Sequence, residues 1–95
     1  MTYRISKPAT ADLGDIRDWI AKGDPKRAVS YLEELDALFG RISVRPLIGR
    51  PREEIGRGGR SIVHHSHVVF YRQVGTSIEI SRVIHGRRNL GRVLV

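Results

Sequence analysis

Hydrophobic residues recur along this chain with two different periods, and the change from one to the other divides it. Between Pro8 and Ala21, Ala9, Leu13, Ile16 and Ile20 follow at spacings of four, three and four, which is one face of an amphipathic helix. Asp12, Asp15, Arg17 and Asp18 lie off that stripe, and Trp19 is expected to pack on its edge. Ser6 offers a capping hydroxyl, Pro8 sits in the first turn where its missing N–H is no loss, and Lys22-Gly23 is a helix ending. Asp24-Pro25 starts a second helix at once. Its stripe of Ala28, Leu32, Leu35, Phe39 and Ile42, broadened by Val29, Tyr31 and Leu38, runs to Ser43 or Val44. So short a link folds the pair into an antiparallel hairpin, whose stripes need a further layer to cover.

That layer is predicted by the two-residue period. Thr2–Ser6 alternates with Tyr3 and Ile5 on one face, and three more strands are expected over Arg60–His64, His67–Val74 and Ser77–His85. His65-Ser66 and Gly75-Thr76 are hairpin-length links, which makes the last three strands an antiparallel meander. Residues 45–58 carry two prolines and three glycines and read as an irregular packed connector, anchored by Leu47, Ile48 and Ile55. The fold class is α+β in the order β-α-α-β-β-β, an N-terminal helical hairpin on a small antiparallel sheet, in one domain over residues 1–95. His67–Val74 breaks the pattern by being apolar on both faces, with Val68 and Phe70 on one and Val69 and Tyr71 on the other. Either the connector or another chain must cover the second face.

Charge changes the picture of what the sheet meets. Residues 1–40 hold six Lys/Arg and seven Asp/Glu, a net of −1; residues 41–95 hold eleven Arg and three acids, a net of +8, together the +7 of the whole chain. All the cations of the second half are arginine, whose planar fork suits carboxylates and phosphates. An acidic protein segment or a nucleic acid is the partner such a surface selects. The chain has no cysteine, so it has neither a disulfide framework nor a thiolate metal site. It has no apolar run of signal-peptide or membrane-spanning length, so a soluble, cytoplasmic protein is expected.

Individual side chains then compete for roles. Plain alternation places Arg82 on one face with Ile78, Ile80 and Ile84, where it must pair with a carboxylate such as Glu53, Glu54 or Glu79, or be turned outward by a bulge near Ser81. Arg72 ends the central strand, and Arg87 and Arg88 follow Gly86 as exposed cations. His64, His65 and His67 resemble a metal cluster, but a hairpin turn there breaks the geometry and no third acidic or thiol ligand is nearby; no metal site and no cofactor are expected. Scarce aromatics argue against a base-stacking nucleic-acid module. Asn89–Val95 ends in Val93-Leu94-Val95, apolar enough to pack on the domain or in a dimer.

Pro8 at the first helix, Pro46-Leu-Ile-Gly-Arg-Pro-Arg-Glu, Val68-Val-Phe-Tyr-Arg and Ile78-Glu-Ile-Ser-Arg-Val-Ile-His-Gly-Arg-Arg-Asn together resemble the RelE/ParE superfamily of toxins of bacterial type II toxin–antitoxin systems, the ParE branch more closely. The resemblance implies the same helical hairpin on a sheet. It also implies a growth inhibitor that binds DNA gyrase as a protein ligand, without chemistry of its own, and is neutralised in a hetero-oligomer by a cognate ParD-like antitoxin. An antitoxin tail would dock as a helix or an added strand. Candidate contacts with antitoxin or target are Val69, Tyr71, Arg72, Arg82, His85, Arg87 and Arg88, with neither a membrane nor a sequence-specific nucleic acid as partner. The alternatives are a ribosome-dependent mRNA endoribonuclease of the RelE type, using His85 as acid/base with Arg82, Arg87 and Arg88 as phosphate clamps, and an inactive interaction domain of the same fold. The last tyrosine is Tyr71 and no lysine follows Lys26, which departs from the ribonuclease pattern.

Overall fold

Ser6 is where the strand and helix periods meet, and it holds both elements. Its hydroxyl accepts from Ala9 N–H (3.1 Å), capping α1 (Lys7–Ala21), and donates to the Ser81 carbonyl across the sheet (2.9 Å). The computed structural model describes residues 2–87. β1 (Tyr3–Ile5) precedes the cap, and α2 (Pro25–Val44) follows α1 with Asp24 as its cap and Pro25 in its first turn. β3 (Arg60–His64), β4 (His67–Val74) and β5 (Ser77–His85) have the predicted limits. The connector, predicted irregular, holds a two-residue edge strand β2 (Arg50–Pro51), whose Pro51 occupies an edge position, and a 3₁₀ turn at Glu53–Ile55.

The five strands lie in the order β1-β5-β4-β3-β2. β1 runs parallel to β5, so the sheet is mixed rather than wholly antiparallel. A first strand that leaves through a helical hairpin joins the sheet beside the last strand, and short hairpin links dictate the antiparallel pairing of β3, β4 and β5. One face packs on the helices through Ala9, Ile16, Tyr31, Leu35, Phe39 and Ile42 against Val69, Tyr71, Ile78, Ile80 and Val83. The other carries Val68, Phe70 and Ile84, with Ile55 of the connector packed on them. The second apolar face of β4 is therefore covered from within the chain. Of the three predicted anchors only Ile55 serves, since Leu47 and Ile48 are exposed.

A bulge decides which side chains reach which face. Phe70 pairs with Arg82 and Tyr71 with Ile80, which leaves Ser81 as an extra residue in β5. Beyond it the alternation reverses: Val83 joins Ile78 and Ile80 on the helix side, while Ile84 lies in the opposite cluster with Phe70. Past the short β1, the outer edge of β5 is lined by α1, and Asp12 supplies the acceptor there. Its carboxylate takes the Val83 N–H at 2.9 Å and binds the Arg82 guanidinium through Nε (2.8 Å) and Nη2 (2.9 Å). Arg82 is thus both paired and displaced by a bulge at Ser81, but its partner is none of Glu53, Glu54 or Glu79; Glu79 instead binds Arg4 and Arg72.

Tyr3 pins β1 to α2 by donating its phenol proton to Asp36 while its ring packs edge-on against Phe39. The bond to the carboxylate pushes its pKa up to about 12. The folded value lies above the unfolded one, so this contribution is complete below pH 10 and is lost as pH rises through about 12. In a spectrophotometric titration, Asp36→Asn is expected to bring part of the tyrosinate signal back towards pH 10. Replacing Asp12 by alanine leaves a guanidinium and a strand-edge N–H without their acceptor. Urea unfolding is expected to show a loss of about 3 kcal/mol, and Asp12→Asn, which keeps an acceptor for Val83, a smaller one.

Candidate functional site

With the bulge in place, His85 falls on the helix side of β5, directly opposite His67 on β4. The two rings meet edge to face at 5.5 Å and form the floor of an open groove of about 560 Å³ between the hairpin of helices and the β3–β4 turn. Ile16, Trp19 and Ile20 of α1 make one wall, Arg27 and Tyr31 of α2 the other. Trp19, expected to pack on the helix edge, is 74 % exposed, with the Lys22 ammonium over its ring. Tyr31 Oη lies 2.6 Å from His67 Nδ1, and the Arg27 guanidinium stacks 5.1 Å from the Tyr31 ring. Burial, then the neighbouring His85 and His64, hold the His67 pKa below its usual value; burial raises that of Tyr31.

The β3–β4 turn adds more imidazoles at the rim. His64 Nε2 and His65 Nε2 lie 3.0 and 3.4 Å from the same oxygen, Glu34 Oε1, while Arg27 holds Glu34 Oε2 at 2.5 Å. Arg27 foremost keeps the Glu34 pKa down at about 2. Reading along the chain misses this group because Glu34 is thirty residues from His64. Glu34 lies three residues beyond Tyr31, on the same side of α2. Asp12 was missed differently: it falls three residues after Ala9 and four before Ile16, a core position, and a charge there signals a buried partner.

The predicted contact residues divide. Val69 and Tyr71 are 0 % and 1 % exposed, because the helices cover their face of β4, so they present no surface to a partner. Tyr71 is a joint inside the fold: its hydroxyl accepts from Gly49 N–H and donates to the Pro46 carbonyl, both at 2.8 Å, and Arg60 clasps the Gly49 carbonyl at 2.8 Å. Arg82 is committed to Asp12. Arg72 is half exposed and bound to Glu79, Arg87 is exposed, and Arg88 and Asn89–Val95 lie outside the described residues. A second surface follows the outer side of α2, where Val44, 75 % exposed, and Ile48 are flanked by Arg41 and Arg45. Among the described residues no helix is long and apolar enough to cross a membrane.

Two helices on one face of a five-stranded mixed sheet are the architecture of the small RelE/ParE-type toxins. A solved structure from a chromosomal ParDE toxin–antitoxin system of P. aeruginosa has this fold, with a TM-score of 0.76 at 20% identity over 90% of this chain and 95% of that one. The RelBE2 toxin–antitoxin complex from Mycobacterium tuberculosis matches with a TM-score of 0.60 at 30% identity over 88% and 95%. The family model described as ParE toxin of type II toxin–antitoxin system, parDE, matches residues 3–90. A toxin ParE1 of Caulobacter vibrioides is 41% identical over 92% of this chain and 91% of its own length, and a toxin ParE1 of Mycobacterium tuberculosis 36% identical over 97% and 96%. The chain belongs to the ParE toxin family of type II toxin–antitoxin systems.

The Tyr71 joint is testable at Gly49. A Cβ there would stand 2.5 Å from the Tyr71 hydroxyl and 2.7 Å from its ring, with both groups buried. Gly49→Ala is expected to cost about 2 kcal/mol in urea unfolding, and Tyr71→Phe, which leaves the Gly49 N–H without its acceptor, about 1–2 kcal/mol.

Proposed function

We propose that this chain arrests bacterial growth by binding DNA gyrase as a protein ligand, and that a cognate antitoxin neutralises it by binding over its exposed arginines. Family membership supports the toxin role, and the ParDE and RelBE2 relatives, solved from toxin–antitoxin systems, support an antitoxin partner. The observation that carries the non-catalytic reading is the engagement of Arg82. It donates Nε and Nη2 of its guanidinium to the two oxygens of Asp12, which takes it away from the phosphate-clamp role a ribonuclease would give it. Tyr71 is likewise held inside the fold by Gly49 and Pro46.

The antitoxin is expected to present acidic and apolar residues together. Val44 and Ile48, between Arg41 and Arg45, suit an amphipathic helix laid along α2, and Arg72, His85, Arg87 and Arg88 form the other proposed contacts with antitoxin or target. The site of action on this reading is the cytoplasm.

Induction in a bacterial host distinguishes the readings. Growth arrest with a DNA-damage response, together with loss of supercoiling by purified gyrase in the presence of the protein, is the expected result. Rapid transcript cleavage without DNA damage would sink it in favour of the His85-based ribonuclease, and unimpaired growth would leave the inactive interaction domain. Alanine at both Arg87 and Arg88 is expected to weaken gyrase inhibition or antitoxin binding; full retention of both removes these residues from either interface.

A further inference from the structure

Consecutive residues of an extended strand point to opposite faces, so His64 and His65 should diverge. They converge because His65 leaves the strand conformation. Its φ is +51°, the one positive value among the described non-glycine residues, at the first position of the two-residue turn between β3 and β4. Glycine is the ordinary occupant of that backbone conformation; a side chain there is strained and asks for a reason. The effect is to bring the two rings edge to face at 4.7 Å with both Nε2 atoms directed at Glu34 Oε1.

We propose that Glu34, His64 and His65 form a binding site for a divalent transition-metal ion of the zinc type. Their three ligand atoms all lie within 4.8 Å of one another. The carboxylate-to-imidazole distances of 3.0 and 3.4 Å are close to the edge of a tetrahedron with metal–ligand bonds near 2.0–2.1 Å, about 3.4 Å. Two imidazoles and one carboxylate suit zinc, nickel or copper and do not suit magnesium or calcium, which take oxygen ligands. Both rings must offer a lone pair at Nε2 to the ion, which requires each neutral ring to carry its proton at Nδ1.

The support around the three ligands is built. Arg27 occupies the other oxygen of Glu34 and fixes the carboxylate so that Oε1 faces the imidazoles, the part that outer partners play around metal ligands. His64 is mostly buried, whereas His65 is 60 % exposed, so the ion has a way in and a water completes the tetrahedron. The bound metal ties the β3–β4 turn to α2 and fixes the rim of the histidine groove. His67 stands apart from the set, engaged through Nδ1 with Tyr31.

The test uses the untagged, metal-free full chain, titrated with Zn²⁺ by calorimetry and with Co²⁺ as an absorption probe. A single saturable site is expected, with the intense visible band of tetrahedral Co²⁺ and a thermal midpoint raised by Zn²⁺ but not by Mg²⁺. His65→Gly relaxes the turn and keeps the fold, so a loss of affinity there reports ligation. It is expected to weaken binding about 100-fold, Glu34→Gln about 10-fold or more, and His67→Asn to leave it unchanged. No saturable binding, binding that survives His65→Gly, or binding lost instead with His67→Asn would overturn the proposal.

Discussion

Asp12 holds the position on which the rest of the molecule turns. A three-residue first strand cannot cover a nine-residue last strand, so part of the outer edge of β5 has no strand partner. A helix beside that edge offers no backbone acceptors of its own, because its carbonyls are used within the helix. One carboxylate on α1 resolves this by taking the Val83 N–H, and the charge it brings into a nearly dry place is balanced by Arg82. Ser6 completes the junction by holding the bulge carbonyl of Ser81 while capping the same helix. Through that bulge the contact reaches the surface: the reversed alternation puts Val83 under the helices and His85 in the groove, and sends Ile84 to the cluster beneath Ile55.

What was legible in the sequence is what depends on neighbours along the chain. Both helices announced themselves by stripe, cap and proline, and β3, β4 and β5 by period two and turn residues, so their limits agree with the structure to within a residue. What depended on distant partners was not legible. The parallel pairing of β1 with β5, the edge strand at Arg50–Pro51, the meeting of Arg82 with Asp12 and the approach of Glu34 to His64 all join residues brought together only by the completed fold. Trp19 was misplaced for a related reason: a residue on the margin of an apolar stripe is buried only if a second element packs on it, and Trp19 stays 74 % exposed on the wall of the groove.

The same distinction separates candidate contacts from structural residues. Val69 and Tyr71 are apolar because they form the helix-side core, and Val68 and Phe70 because they are buried with Ile84 in a second cluster against which Ile55 packs, so the doubly apolar strand needs no partner chain to explain it. The arginines sort by their neighbours. Arg60 and Arg82 stitch the fold together, Arg27 orders Glu34, and Arg41 and Arg45 border exposed apolar residues on α2. An excess of arginine in the second half of the chain is therefore partly internal scaffolding and partly surface, which net charge alone does not separate.

Amide hydrogen exchange at Val83 reports directly whether Asp12 closes the edge of β5. If the Asp12 carboxylate holds this N–H as part of the cooperative fold, it exchanges only with global unfolding, as slowly as the amides of the central strand β4. Exchange through local opening, orders of magnitude faster than at Val69 or Phe70, would mean that Asp12 does not close this edge.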